Sequence, residues 1–230
     1  MVWQCLERQT MQDFEWIVTA PDGKIRLGQP RDNIKLLVDP PKRDGDFYCL
    51  NKAWNAAVGH ATGDLLVFAV DWIWFNPDAL ERFWNTYVDD PLAVVSSYGH
   101  HFRRVDKVTG RPEVLWQFDQ RPAVPGFKMP WFGFEAAFAS VPRSKFLEVG
   151  GFDEKYDRVP GNSEKDFAGR LMNAGCKVLL SPYIECRNFT HSKEGDYPRN
   201  WDEAYKESQE MFKADFKEIE VGRRKVVSNA

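Results

Sequence analysis

Residues 65–70, Leu-Leu-Val-Phe-Ala-Val, form an unbroken apolar run that stops at Asp71. A run this short and continuous predicts a strand buried on both faces, at the centre of a mainly parallel sheet. Strands and helices alternate on either side of it, which fits a three-layer α/β domain. In an open sheet of that kind ligands gather beyond the carboxyl ends of the strands. Asp71 is therefore the first candidate site residue, its other reading being an ordinary strand-end acid.

Further strands are predicted at 14–19, 34–38, 92–98 and 177–182, and helices at 50–61, 77–88 and 201–220. Residues 1–10 read as the end of a helix. The polar, Pro-bearing stretch 99–130 reads as a small hairpin plus a lid. His100 and His101, adjacent in a strand, would point to opposite faces and so would not share a metal. The last helix places Trp201, Tyr205, Phe212, Phe216 and Ile219 on one broad face, either to pack back on the domain or to form a dimer contact.

A second landmark runs from Gly150-Gly151-Phe152-Asp153-Glu154 to Ser163-Glu164-Lys165-Asp166. Paired glycines mark a tight backbone passage between packed elements. Asn162 or Ser163 would cap a helix whose first turn holds Glu164 and Asp166, where the macrodipole favours negative charge. Phe167, Leu171 and Ala174 follow at helical spacing, and Gly175 supplies the stop. Taken alone, this is a well-capped amphipathic helix.

A net charge of −3 gives no electrostatic footprint for nucleic acid. The four cysteines lack metal-ligand spacing, so reduced thiols in a cytoplasmic protein are expected. No apolar run nears the roughly 20 residues of a membrane span, and no signal peptide is visible, so a soluble protein is expected. Nine Trp and seventeen Phe suit sugar or base stacking, or a thick core.

The Gly150–Glu154 motif, the acidic pair and Arg170-Leu171-x-x-x-Gly175 together resemble the acceptor-side signature of family-2-like glycosyltransferases of the GT-A fold. Glu15-Trp16-Ile17-Val18, the set Lys52, Asn55, Ala61, Gly63 and Asp64, and Asn76-Pro77-Asp78-Ala79-Leu80 match further segments of that family. The resemblance implies a Rossmann-like GT-A domain over 1–195, lacking the family's first strand, then a C-terminal amphipathic helix and basic tail over 196–230. It implies inverting, metal-dependent transfer of a sugar from a nucleoside-diphosphate sugar, a UDP-sugar in preference, to a hydroxyl acceptor. Glu164 would be the catalytic base with Asp166 second, Asp166 otherwise serving as a cap or an arginine partner. Asp22, Lys52, Asn55, Asp71, Trp131 and Glu135 would bind the donor; the other readings are a turn for Asp22, solvated surface for Lys52 and core for Trp131. Asp71 and His191 would hold Mn²⁺ or Mg²⁺, although only one acid survives where the family has Asp-x-Asp, and His191 alone reads equally as structural. The C-terminal helix, if it does not pack back on the domain, would be a homodimer contact. Two other functions stay open: a non-catalytic nucleotide-sugar-binding relative, and a nucleotidyltransferase, which would want a Gly-rich phosphate loop that is absent near the N-terminus.

Overall fold

A computed structural model describes residues 1–21, 34–105, 112–117, 119–122, 124, 127–189 and 200–226. Its elements run α1 (Val2–Glu7), β1 (Trp16–Ala20), β2 (Ile34–Val38), α2 (Leu50–Gly59), β3 (Leu65–Ala69), β4 (Ile73–Phe75), α3 (Ala79–Asp89), β5 (Ala93–Val105), β6 (Pro112–Gln117), β7 (Phe127–Lys128), β8 (Phe138–Pro142), α4 (Arg143–Glu148), α5 (Ser163–Asn173), β9 (Lys177–Phe189) and α6 (Trp201–Glu220). They fall into two compact units. One comprises Met1–Asp13, Leu65–Pro142 and Cys176–Lys193, the other Phe14–Asp64, Arg143–Gly175 and Glu194–Ala230.

The first unit holds a seven-stranded sheet of order β3-β8-β5-β9-β4, with β6 on β5 and β7 on β9. The expected parallel frame is present in strand direction: β5 and β9 pair in parallel, and β3 points the same way because antiparallel β8 lies between β3 and β5. Pair by pair the sheet is mixed, since β4, β6 and β7 also join antiparallel. β5 and β9 are each much longer than their apolar stretches suggest. They pair from Ala93↔Lys177 to Phe102↔Phe189 across an irregularity at Ser97/Tyr98, so partner hydrogen bonds carry both strands into polar sequence. The core gathers Phe75 stacked on Phe138 at 4.3 Å and Phe83 edge-on to Phe138 at 5.2 Å. Helix α3 starts without a cap from its own N-cap side chain. Instead, buried Gln9 accepts from the Leu80 N–H at 3.0 Å and donates to Asn76 O at 3.0 Å.

The second unit pairs β1 with β2 in parallel, Trp16↔Ile34 to Ala20↔Val38. Its aromatic centre stacks Phe152 on Phe167 at 4.1 Å, with Phe146 5.4 Å from Phe167 and Trp54 4.7 Å from Phe152. Helix α6 packs on α5 where Gly169 faces Ile219; a Cβ at Gly169 would come within 2.8 Å of Ile219 Cγ2. The buried stripe of α6 is Ala204, Ser208, Asp215 and Ile219, with Trp201 and Tyr205 exposed, so the helix turns a smaller and more polar face inward than its aromatic residues suggested. Among the described residues no helix is long and apolar enough to cross a membrane.

Glu15, just before β1, joins three segments of this unit. It accepts from Thr62 N (2.6 Å), Thr62 Oγ1 (2.7 Å) and Gly63 N (3.1 Å), and from Lys35 Nζ (2.8 Å). Burial pushes its carboxyl upward, but the bonds from Lys35, Thr62 and Gly63 outweigh that and hold it down to about 2, against an ordinary 4.5. A depressed folded value means the stabilisation is fully present above the unfolded value and is lost as pH falls through the folded one. Acid unfolding followed by circular dichroism should therefore steepen between pH 4.5 and about 2. Glu15→Gln should flatten that segment; an unchanged acid limb would show that the Glu15 cluster contributes nothing.

Candidate functional site

Helix α2 begins at Leu50 with no cap from its own N-cap side chain. The cap comes from Asp157, more than a hundred residues on: Oδ1 accepts from Asn51 N (2.8 Å) and Asn51 Nδ2 (3.0 Å), and Oδ2 from Lys52 N (3.1 Å). Asp157 is fully buried, and that burial raises its pKa against the lowering by the two amides. Lys52 turns its ammonium onto Asp46 at 2.6 Å, both groups buried. The burial of this pair rules out the solvated-surface reading of Lys52. Asn55 brackets the backbone of Phe152, accepting from its N–H and donating to its carbonyl, each at 2.9 Å, and also donates to Glu154 Oε1 at 3.3 Å. That bracket explains Gly151. Its φ is +68°, and a Cβ there would lie 2.5 Å from Asn55 Oδ1 and 2.9 Å from Phe146.

Helix α5 carries the acidic pair, and its two acids are treated differently. Asp166 is fully buried. Its Oδ2 accepts from Arg170 Nε (3.0 Å) and Nη2 (2.8 Å), and its Oδ1 from Arg224 Nε (2.8 Å). Arg170 also donates to Val149 O and Gly151 O, both at 2.7 Å, tying the glycine passage to the helix. Around Arg224 lie Asp153 and Asp215, and Asp215 in turn accepts from Tyr156 Oη (2.5 Å) and pairs with Lys155 (2.6 Å). Burial, and then the bond to Asp215, push the Tyr156 hydroxyl far above its ordinary pKa, so it stays protonated and donates to Asp215. Glu164, two residues before Asp166 in the same turn, is only half-buried. The turn begins at Asn162 with φ 63°, but Asn162 does not cap it with its side chain as expected. Its Nδ2 donates instead to Ser208 Oγ of α6 at 2.9 Å. Gly175, φ +87°, closes the helix region as expected.

In the other unit, Asp71 sits in the exposed turn that follows β3. Trp131 opens a 3₁₀ turn, half-buried and edge-on to Phe132 at 5.8 Å. Glu135 lies 3.5 Å from Arg121, its side chain 46% exposed. Arg121 buckles this loop to β5, donating to Ser96 Oγ (2.9 Å) and Ser97 O (2.8 Å) and pairing with Asp119 at 2.5 Å. Burial raises the Asp119 carboxyl, but the bonds from Arg121 and the Gly99 amide outweigh it, and its pKa ends low. Asp22 and His191 lie outside the described residues.

Among the described residues no three or more His, Cys, Asp or Glu gather as a metal cage. Asp71 is a single accessible carboxylate. That suits an octahedral cation held by one or two carboxylates and completed by substrate phosphates and water, not a resident ion caged by protein alone. Sequence reasoning missed Asp157, Asp215, Arg121 and Arg224. Arg224 showed only as part of a short basic end, and the others carried no motif.

No protein-family model matches the chain, and no curated protein matches it. Among solved structures it is similar to the crystal structure of GalNAc-T7 with UDP, GalNAc and Mn²⁺, at a TM-score of 0.60 and 12% sequence identity. The likeness covers 84% of this chain and 41% of that one, so the chain spans about two fifths of the solved chain's length. At this identity the likeness shows the fold: a mixed α/β, Rossmann-like GT-A architecture with a C-terminal helix.

Proposed function

We propose that this chain transfers a sugar from a nucleoside-diphosphate sugar, a UDP-sugar in preference, to a hydroxyl acceptor with inversion. The observation that carries this reading is the unequal placement of the acidic pair: Asp166 is fully buried between two arginines, while Glu164, in the same first turn of α5, is only half-buried and so within reach of an acceptor. The first turn of a helix, at the positive end of its dipole, is a favourable place for a carboxylate that accepts a proton as a general base. Similarity of fold to a structure holding UDP, GalNAc and Mn²⁺ supports the donor class. Glu164 takes the acceptor proton; the acceptor oxygen forms its bond to the anomeric carbon as the bond to the diphosphate breaks, the electron pair leaving with the diphosphate. Asp71 would hold Mn²⁺ or Mg²⁺ together with the diphosphate oxygens, and such an ion supplies neutralisation of the charge that develops on the leaving group. Trp131 and the exposed end of Glu135 would contact the sugar. Lys52 and Asn55, spent on internal bonds, serve this reading as supports for α2 and the glycine passage.

A thermal-shift series with UDP-, GDP-, CMP- and dTDP-sugars, with and without Mn²⁺, tests the donor. Ligand at a hundred times its Kd should stabilise the chain by about 2.7 kcal/mol. The expected result is a UDP-sugar shift that grows with Mn²⁺, and an Asp71→Asn variant of unchanged intrinsic stability that has lost the Mn²⁺-dependent part. No shift with any donor would remove the reading. The single carboxylate at Asp71 favours, as a second reading, a chain that binds the donor without transferring it; donor binding with no product in the presence of hydroxyl acceptors would select that one.

A further inference from the structure

We infer that the segment after α6 is a working part of the site on α5, with Arg224 as the residue that positions Glu164; this rests on the reading of Glu164 as the base. The chain leaves α6 through Gly222, φ +68°, and the amides of Arg223 and Arg224 both return to Glu218 O at 2.8 and 3.1 Å. The tail then passes the paired glycines: a Cβ on Gly150 would meet Val226 Cβ at 3.4 Å. Between these points the Arg224 guanidinium is driven inward, its side chain only 9% exposed. Its Nε bonds Asp166 Oδ1 at 2.8 Å and lies 3.2 Å from Asp215 Oδ1, while Nη2 pairs with Asp153.

The charges of this cluster balance. Asp153, Asp166 and Asp215 face Lys155, Arg170 and Arg224. Without Arg224 one buried negative charge is left over, and Asp166 keeps a partner on only one oxygen. That oxygen's partner, Arg170, is the same group that grips the Val149 and Gly151 carbonyls. Tail, first helical turn and glycine passage thus form one hydrogen-bonded body.

Glu164 is bracketed within it. Two residues before it, Asn162 is held by Ser208 of α6, whose hydroxyl also donates to Gly161 O at 3.1 Å. Two residues after it, Asp166 is held by Arg224. Both anchors come from the C-terminal residues 200–226. Residues two apart on a helix point about 200° away from one another, so a group bound to Asp166 does not share Glu164's direction. Arg224 can act on Glu164 only by fixing the position and roll of the turn, which makes it a positioning residue.

The test uses the full chain with Arg224→Ala and Arg224→Lys, measuring kcat, donor KM and backbone hydrogen exchange. Misplacing a reacting group by about 1 Å can cost about 10²-fold in rate. We expect Arg224→Ala to lower kcat by about tenfold to a hundredfold with donor KM unchanged. Amides of residues 164–167 should exchange faster in a chain that still unfolds cooperatively. Arg224→Lys should recover part of kcat, since an ammonium restores the charge but not the fork of donors. Exchange at 164–167 that matches the unsubstituted chain, or kcat and KM that track only the folded fraction, would overturn the inference. If Arg224→Ala fails to fold, the Lys variant decides on the same two readouts. An unsubstituted chain that turns over no nucleotide sugar removes the transferase reading and Glu164's role with it, whereas exchange alone then reports whether the tail holds α5.

Discussion

Arg170→Met lowers the unfolding free energy by about 3–5 kcal/mol, the expected cost of removing one partner from a buried ion pair. The side chain is 2% exposed and makes four bonds, two to Asp166 and two to the carbonyls of Val149 and Gly151. Methionine fills much the same volume but donates nothing, so two carbonyls lose a donor and Asp166 keeps Arg224 alone. Domains are stable by only about 5–15 kcal/mol, so this one change consumes a large part of the margin. Urea unfolding monitored by tryptophan fluorescence should show the midpoint fall with little change in slope. A loss under about 1 kcal/mol would mean that the cluster contributes little beyond the ordinary range for exposed substitutions.

The second large effect separates the two acids of α5. Glu164→Gln keeps the shape and removes the basic oxygen; loss of a general base costs about 10²–10⁴ in rate. Turnover should fall into that range with donor affinity and melting temperature retained. Asp166→Asn should do the opposite. Its carboxylate is the shared counter-charge of Arg170 and Arg224, so neutralising it leaves buried guanidinium charge under-compensated and lowers the melting temperature. Turnover per folded molecule should change far less than in Glu164→Gln. A folded Asp166→Asn chain with no turnover beside an active Glu164→Gln chain would show that the base had been assigned to the wrong acid.

Several parts of this molecule are legible in the order of its residues. The apolar run ahead of Asp71 marks β3, the run at 34–38 matches β2 residue for residue, and 201–220 matches α6. Each rests on a local rule of periodicity or continuity, which needs no knowledge of partners. The paired glycines are legible as a tight passage because a positive φ and absence of a Cβ are properties that only glycine supplies cheaply, and Gly150 and Gly151 have φ of 78° and 68°. The lengths of β5 and β9 are not legible, since their outer halves are strand through hydrogen bonds supplied by each other and by β6 and β4.

The α/β class, the longer helices and strands and the place of the acidic pair at a helix start all follow from residue type and spacing along one segment. Tertiary structure alone decided what the charged and polar groups do. Asp157 caps α2, Asp46 takes Lys52, Phe152 takes Asn55, and Arg224 shares Asp166 with Arg170. Asp46–Lys52 and Asp166–Arg170 are near in the chain, but the others join residues far apart, and each exists because folding removes both partners from water at the same point. A buried charge must then find its opposite wherever the chain happens to bring one, and no local pattern in the sequence encodes that meeting.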